Sequence, residues 1–213
     1  MENYELKRYA AVAETLAKKL ERRNFKPIIC KNIAEAKEKA LEMIDDEKSV
    51  GFGGSITIEK SGIIEALYER GQKVIDRERT NSPEERHRVM KEALTSDYFL
   101  TSINGLTEEG ELVNVDSVGN RVAALTFGPD QVFAFVSMSK IYGNLDTTLE
   151  TVRKNTAPLN AHRLGLKKTP CIKKGLCGDC LQSECICNTI AVTRRAMIKD
   201  RIVIFLIAEQ LGL

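Results

Sequence analysis

Five of the six cysteines fall in one short stretch, CIKKGLCGDCLQSECIC, running from Cys171 to Cys187. Within it Cys177 and Cys180 form a C-x-x-C knuckle, a spacing that lets two thiolates face one metal. Gly175 and Gly178 supply the tight turns around the knuckle, and Cys171 and Cys187 can close a four-thiolate shell. Such a shell suits Zn²⁺ or an iron–sulfur cluster, including a [4Fe–4S] cluster, and either centre would carry net negative charge. Lys167, Lys168, Lys173, Lys174, Arg194 and Arg195 flank the segment and could offset that charge. Zinc ribbons usually carry two knuckles, and bacterial ferredoxins carry a C-x₂-C-x₂-C-x₃-C run. Neither pattern is present, so the spacing points to a metal without choosing which. Redox-active free thiols and disulfides remain the alternatives. The sixth cysteine, Cys30, ends an apolar run and reads as a core residue.

A second candidate is GFGGSIT, residues 51–57. Glycines let the backbone turn sharply and approach a ligand. The helix start behind them offers unpaired amides, and the hydroxyls of Ser55 and Thr57 add donors. The loop lacks the Gly-Lys-Ser/Thr ending of a Walker A motif and the third glycine of the dinucleotide fingerprint. It reads either as an anion seat or as a tight strand-to-helix turn capped by Ser55.

Two polar stretches complete the candidates. Asn104-Gly105 looks like a hairpin turn, followed by Thr107, Glu108 and Gly110. Asp116, Gly119, Asn120 and Arg121 form a second polar turn, expected between strands. Turn chemistry accounts for most of these residues. If the loops line a cleft at the ends of sheet strands, Glu108 and Asp116 could instead do acid/base work and Arg121 could fork onto a carboxylate or phosphate. His87 reads as a surface residue and His162 as a helix-end cation, so no histidine-based catalytic centre is expected.

The elements that must position these groups alternate. Residues 3–23 carry apolar positions at helical spacing, FKPIIC reads as a strand, and Asn32 with Glu35 opens a helix to about Ile44. Residues 49–52 form a short strand, SITIEKSGIIEALYERG a helix stopped by Gly71, KVIDR a strand, and Ser82-Pro83 a helix start. YFLTSINGL, ELVNVDSVG, RVAALTFG and QVFAFVSMS are β-rich runs. GNLDTTLETVRKNTAPLNAHRLG is helical with an interruption at Pro158, and RIVIFLIA is a closing strand, apolar on both faces and therefore central. Alternation predicts an α/β fold with a sheet covered on both faces, in a single domain spanning 1–213 that includes a cysteine-rich segment at 165–190.

The 213-residue chain is 43% hydrophobic and 29% charged with net charge +2, enough apolar mass for one core and no basic stripe. Nucleic-acid binding is therefore not expected. No stretch approaches the roughly 20 apolar residues of a membrane span, and the charged N-terminus has no signal core, so a cytoplasmic protein is expected.

Taken together, GFGGSIT, TEEGELVNVDSVGNRVAALTFGP, SKIYGN, APLNAHRL, the cysteine segment and RIVIFLIAEQLGL stand in the order found in the lactate-utilization (LUD-domain) family. The resemblance covers the chain from about residue 10 onward. It implies an open, Rossmann-like layered sheet similar to the sugar-phosphate isomerase and CoA-transferase superfamily. It also implies a phosphate or carboxylate site at Gly53, Gly54, Ser55 and Thr57, with Asn104, Thr107, Glu108, Gly110, Asp116, Gly119, Asn120 and Arg121 in the matching polar stretch. The relatives' cysteines match at Cys171, Cys177, Cys180 and Cys187. Cys185 stands where relatives carry arginine, so it competes with Cys187 as fourth ligand. The implied function is a part in L-lactate oxidation to pyruvate, as a subunit of an iron–sulfur system with iron–sulfur or flavin partner subunits, and homo-oligomers are compatible with it. A rival reading is a stand-alone isomerase, ligase or transferase acting on a phosphorylated or CoA-linked substrate, with a structural zinc. A third is a non-catalytic, metal-dependent scaffold.

Overall fold

The computed structural model describes residues 3–213. In chain order the elements are α1 (Asn3–Arg22), β1 (Lys26–Cys30), α2 (Ile33–Met43), β2 (Ser49–Phe52), α3 (Ile56–Ser61), α4 (Ile63–Glu69) and β3 (Lys73–Ile75). There follow α5 (Pro83–Glu92), β4 (Tyr98–Ser102), β5 (Gly105–Thr107), β6 (Leu112–Asp116), α6 (Asn120–Thr126), β7 (Gln131–Ser137) and β8 (Ile141–Tyr142). The chain closes with α7 (Leu145–Thr151), α8 (Ala157–Arg163), α9 (Pro170–Lys174), β9 (Thr189–Thr193) and β10 (Ile202–Ile207).

Six strands form one parallel sheet in the order β1-β10-β7-β4-β2-β3. Alternate side chains of its inner strands feed two cores. From β10, Ile202, Ile204 and Leu206 join Ala13, Leu16 and Leu20 of α1 on one face. Val203, Phe205 and Ile207 join Ala36 and Ala40 of α2 and Ile58, Ile63 and Leu67 of α3 and α4 on the other. Phe205 packs between Phe133 and Phe135, with ring centroids 5.4 and 4.9 Å away. A strand buried on both sides must be apolar throughout, which is why RIVIFLIA marks the interior of a helix-covered parallel sheet.

The excursions between β4, β7 and β10 build a second, four-stranded sheet, β8-β5-β6-β9. Leu106 and Leu112 turn one of its faces to the α1 core, while Val113 and Val115 pack with Val152, Leu145 and Leu149 on the other. β9 pairs antiparallel with β6 from Leu112↔Thr193 to Asp116↔Thr189, which ties the cysteine segment back into the body of the molecule.

Several local expectations give way to tertiary context. RVAALTFG, read as β-rich, is the helix α6, because Asp116 caps its start and Gly119, at φ 85°, turns the chain into it. Asn104-Gly105 is not the hairpin turn. The turn lies at 107–111, where Gly110 N donates to Thr107 O at 2.9 Å, and Gly105 instead lets α7 approach, since a Cβ there would lie 2.6 Å from Thr148 Cγ2. The expected long helix after Ser55 breaks at Gly62 (φ 64°) into α3 and α4. The interruption foreseen at Pro158 is a π-helical turn over Val152–Thr156, ahead of α8.

At the end of the sheet where its strands begin, the Asp97 carboxylate accepts from Ser49 N (2.8 Å), Ser49 Oγ (2.6 Å) and Lys48 Nζ (3.1 Å), joining the starts of β2 and β4. The Ser49 bonds first, then Lys48, hold this carboxyl far below the ordinary carboxylate range. A depressed acid stabilises the fold above its unfolded-state value and loses that contribution as pH falls. Asp97→Asn should therefore lower the urea midpoint at neutral pH, with the gap to wild type closing as pH drops below 3.8.

Candidate functional site

β2 hands the chain outward to β3, while β4 hands it inward toward β7, so the connections diverge between neighbouring strands. Crevices at such switch points, beyond the carboxyl ends of parallel strands, are where open α/β sheets bind ligands. Here the crevice is a cleft of about 270 Å³. Gly54, Ser55 and Thr57 come to it from the end of β2, Ser102 and Asn104 from the end of β4, and Lys140 from the turn after β7. Asp116, Asn120 and Arg121 line it from the second sheet, Arg77 and Arg86 from the β3–α5 region, and Arg163 from α8. Five cationic side chains thus face a cleft whose lining includes a single carboxylate side chain, Asp116.

That carboxylate is already committed. Asp116 Oδ1 accepts from Arg121 Nε at 2.9 Å and Nη2 at 2.6 Å, and Oδ2 accepts from Val122 N at 2.9 Å. Arg121 also donates to Asn104 Oδ1 (2.7 Å), Val115 O (2.8 Å) and Ser102 O (3.4 Å). Both residues are 9% exposed. The pair joins β4, β6 and α6, with its hydrogen-bonding capacity turned toward protein. Its geometry makes it a positioning device more than a ligand clamp.

The loop glycines divide by function. Gly53 N donates to Leu100 O at 3.0 Å, and a Cβ there would make only ordinary contacts. A Cβ on Gly54 would run into Nη2 of Arg77, so the bare backbone is what lets that guanidinium lie over the loop. Ser55 caps α3 by accepting from Ile58 N at 3.3 Å and donates to Ser102 Oγ at 2.8 Å, joining the ends of β2 and β4. α3 is only six residues long, so the positive character of the cleft comes from side chains, not from a helix dipole.

Among those side chains, Arg86 forms a bidentate pair with Glu78 at 2.7 and 2.9 Å and braces Arg77 O. Arg77 bonds Glu78 through Nε at 3.0 Å, and burial pulls its guanidinium below the usual arginine range. Lys140 is 5% exposed, and burial, then the Arg121 charge, pushes it down to about 8.

The structure therefore gathers Gly54, Ser55, Thr57, Asn104, Asp116, Asn120 and Arg121 around one cleft. It leaves Thr107 and Glu108 elsewhere: Thr107 Oγ1 caps the hairpin by accepting from Glu111 N at 2.9 Å, and Glu108 is exposed beside α1. Sequence reasoning missed Arg77, Arg86, Lys140 and Arg163. The sequence signals were the SKIYGN stretch that contains Lys140 and the APLNAHRL stretch that contains Arg163, while Arg77 and Arg86 lie on segments that carry no such mark.

Next to the cleft, and sharing Ile186 as a wall, is a second cavity of about 100 Å³ lined by Cys171, Cys177, Cys180, Cys185 and Cys187. Burial first, then the neighbouring Cys185, Cys177 and Cys171 thiols, pushes Cys187 up to about 12. Burial likewise pushes Cys30, inside the core, up to about 11. A thiol pushed up in this way is a poor nucleophile. The segment is held by Glu184, which accepts from Lys167 N and Lys168 N at 2.7 and 2.9 Å, and by an Arg153–Asp179 ion pair. The thiols share a cavity but not a point: among the described residues, no three His, Cys, Asp or Glu side chains stand closely enough to hold a metal ion. The donors suit zinc in kind, but not in the spacing that four Zn–S bonds of about 2.3 Å require. Cys30 lies apart from them, in the core.

The sequence model of the LUD domain family matches residues 13–207. The chain belongs to the LUD-domain family. Its fold is similar to the crystal structure of a DUF162 family protein from Deinococcus radiodurans, at 15% sequence identity and a TM-score of 0.52, covering 93% of this chain and 97% of that one. That likeness bears out the layered α/β architecture. No curated protein matches the chain. Among the described residues no helix is long and apolar enough to cross a membrane.

Breaking the buried pair tests its structural weight. Arg121→Met would strand the Asp116 carboxylate in a site 9% exposed, and removing one partner of a buried pair costs about 3–5 kcal/mol. Urea unfolding should show a loss of that order, with a smaller loss in the double variant Asp116→Leu/Arg121→Met.

Proposed function

We propose that this LUD-domain protein takes part in organic-acid utilization, binding a small carboxylate such as L-lactate or pyruvate in the cleft at the switch point. The observation that carries this reading is the charge of the lining. Arg77 and Arg86 share Glu78 and Arg121 holds Asp116, while Lys140 and Arg163 pair with no carboxylate among the described residues. A cleft with that imbalance favours an anion, and about 270 Å³ suits a small one. Arg77 over Gly54, with Ser55 and Thr57 below, is the side on which a carboxylate would dock. Asp116 orients Arg121 and caps α6. Glu108 lies outside the cleft, and no proton step is assigned to it.

In the same reading the cysteine cavity would hold a [4Fe–4S] cluster, with ligands drawn from Cys171, Cys177, Cys180 and either Cys185 or Cys187. The five thiols that line this one cavity are the donors that would hold such a cluster. The apolar wall of Ala157, Ala161, Leu181 and Ile190 would shield it from water. When bound, such a cluster supplies one-electron transfer, and its place behind Ile186 puts that capacity beside the cleft. Two-electron oxidation of lactate would still need an acceptor in a partner subunit, because this chain carries no flavin or nicotinamide fingerprint.

One observation favours a second reading. Several cations are more than one monocarboxylate needs, which supports a phosphorylated or CoA-linked substrate for a stand-alone isomerase, ligase or transferase. Ligand-induced melting shifts separate the two. A ligand at 100 times its Kd stabilises by about 2.7 kcal/mol. L-lactate or pyruvate should raise Tm if the first reading holds, and sugar phosphates or CoA if the second does. Gly54→Val with Ser55→Ala should abolish the shift while the unliganded protein still folds. A surviving shift would mean that the loop is only a turn.

The cysteine site has its own test. Protein purified without oxygen should be brown with several irons per chain, and Cys177→Ser should lose colour and iron together. One zinc per chain in a colourless protein would overturn the cluster, and unchanged metal content in the variant would remove Cys177 from the ligands.

A further inference from the structure

Thr57 and Lys140 reach the cleft from different elements and meet there without partners. Thr57 belongs to α3, is 1% exposed, and its Oγ1 has no hydrogen-bond partner. Lys140 ends the single 3₁₀ turn after β7 and is 5% exposed. Among the described residues its Nζ makes no hydrogen bond and no ion pair. A buried hydroxyl left unpaired is costly, and a largely buried lysine that presents its ammonium to the cleft with no protein acceptor is costly too, so the two in one place ask for an explanation.

The place is defined by the chain after β10. Ser137 Oγ, at the end of β7, bonds Glu209 O and accepts from Leu211 N at 3.2 Å, which brings Gly212 over the cleft. A Cβ on Gly212 would lie 2.7 Å from Lys140 Nζ and 2.9 Å from Thr57 Oγ1. Glycine at φ 78° leaves that point bare, and the two donors border one small gap against its backbone.

The charged groups around the gap offer no substitute partner. Arg121, from α6, repels Lys140 and is itself held by Asp116. Glu209, on the 208–213 segment, turns its carboxylate to Ile33 N at 2.7 Å. Arg77 and Arg163, farther along the lining, are cations too. No carboxylate, that of the Leu213 terminus on the cleft lining included, pairs with Lys140 among the described residues, so what the gap lacks is a bound group with negative charge and oxygen acceptors.

We infer that Lys140 Nζ and Thr57 Oγ1 form the seat for one oxyanion group of the ligand, and that a protonated Lys140 is required to hold it. This rests on reading the cleft as an anion site and assigns that site its principal cation. Burial, then the Arg121 charge, pushes Lys140 in the free protein down to about 8. An anion bound against it raises that value, so binding and protonation are linked. Affinity is flat below the free-protein value and falls above it, by up to about tenfold per pH unit, while binding at alkaline pH takes up a proton.

Sulfate and pyruvate are suitable probes, since neither changes charge across neutral and mildly alkaline pH. Calorimetric titration of the full chain, at about pH 7 and about pH 9 in two buffers of different ionisation heat, reads affinity and proton uptake together. Wild type should bind roughly tenfold more weakly at the higher pH, with proton uptake appearing there. Lys140→Met should bind at least about tenfold more weakly at neutral pH, with no pH dependence and no proton uptake. It should melt no lower than wild type, because it removes an unpaired buried charge. Thr57→Val should weaken binding and keep the pH dependence.

Wild-type binding that is equal at both pH values, or wild-type affinity in Lys140→Met, would overturn this assignment and leave the anion-binding cleft standing. Failure of wild type to bind either anion at either pH would overturn the cleft reading, and this inference with it.

Discussion

The buried contact between Asp116 and Arg121 is the constraint on which the cleft depends. One guanidinium reaches the end of β4 through Ser102 O and Asn104, the end of β6 through Val115 O and Asp116, and its own helix through the carboxylate that caps α6. These are the places where the parallel sheet, the second sheet and the helix after it come together. A carboxylate that accepts three hydrogen bonds, with an arginine that spends its donors on four residues, fixes that junction in one arrangement. Removing either partner leaves a desolvated charge behind, so the pair acts as a unit.

With the junction fixed, the cleft's electrostatics follow from topology. The parallel sheet delivers the ends of β2, β4 and β7 to one side, and the diverging connections open a gap there. Into it come Arg77 from the far edge of the sheet, Lys140 from the turn after β7 and Arg163 from α8. Asp97 sits at the other end of the strands, bonded to Ser49 and Lys48, and closes the side away from the cleft. The two ends thus differ in kind. One is satisfied internally, and the other holds donors that protein does not satisfy.

The cysteine segment follows a different logic. It has little regular structure and few large apolar residues, yet it is anchored at both margins, by Glu184 on the amides of Lys167 and Lys168 and by β9 on β6. Those anchors bring five thiols from a 17-residue span to one cavity, with Ile186 between them and the cleft. A bound guest would add order that the segment's own packing supplies only in part.

The sequence by itself determined what short-range physics controls. Apolar runs set the strands, and the two-faced apolar run at 202–207 placed β10 inside the sheet. Asn32 and Ser82 marked helix starts, and both side chains do accept from the amide three residues on, at 2.9 and 3.1 Å. The Gly-rich loop, Asn104, Asp116, Asn120 and Arg121 were legible as polar groups at turns, and the cysteines as a cluster. Only the tertiary structure decided which of them meet. RVAALTFG has strand composition but becomes helix because a carboxylate caps it, and Asn104-Gly105 has turn composition but serves the approach of α7. Arg77 carries no local mark of a site, and Lys140 and Arg163 are marked only by lying in SKIYGN and APLNAHRL. A lone cation in a chain looks like surface; its place on the cleft, and for Lys140 its burial without a partner, are properties of packing among segments far apart in sequence.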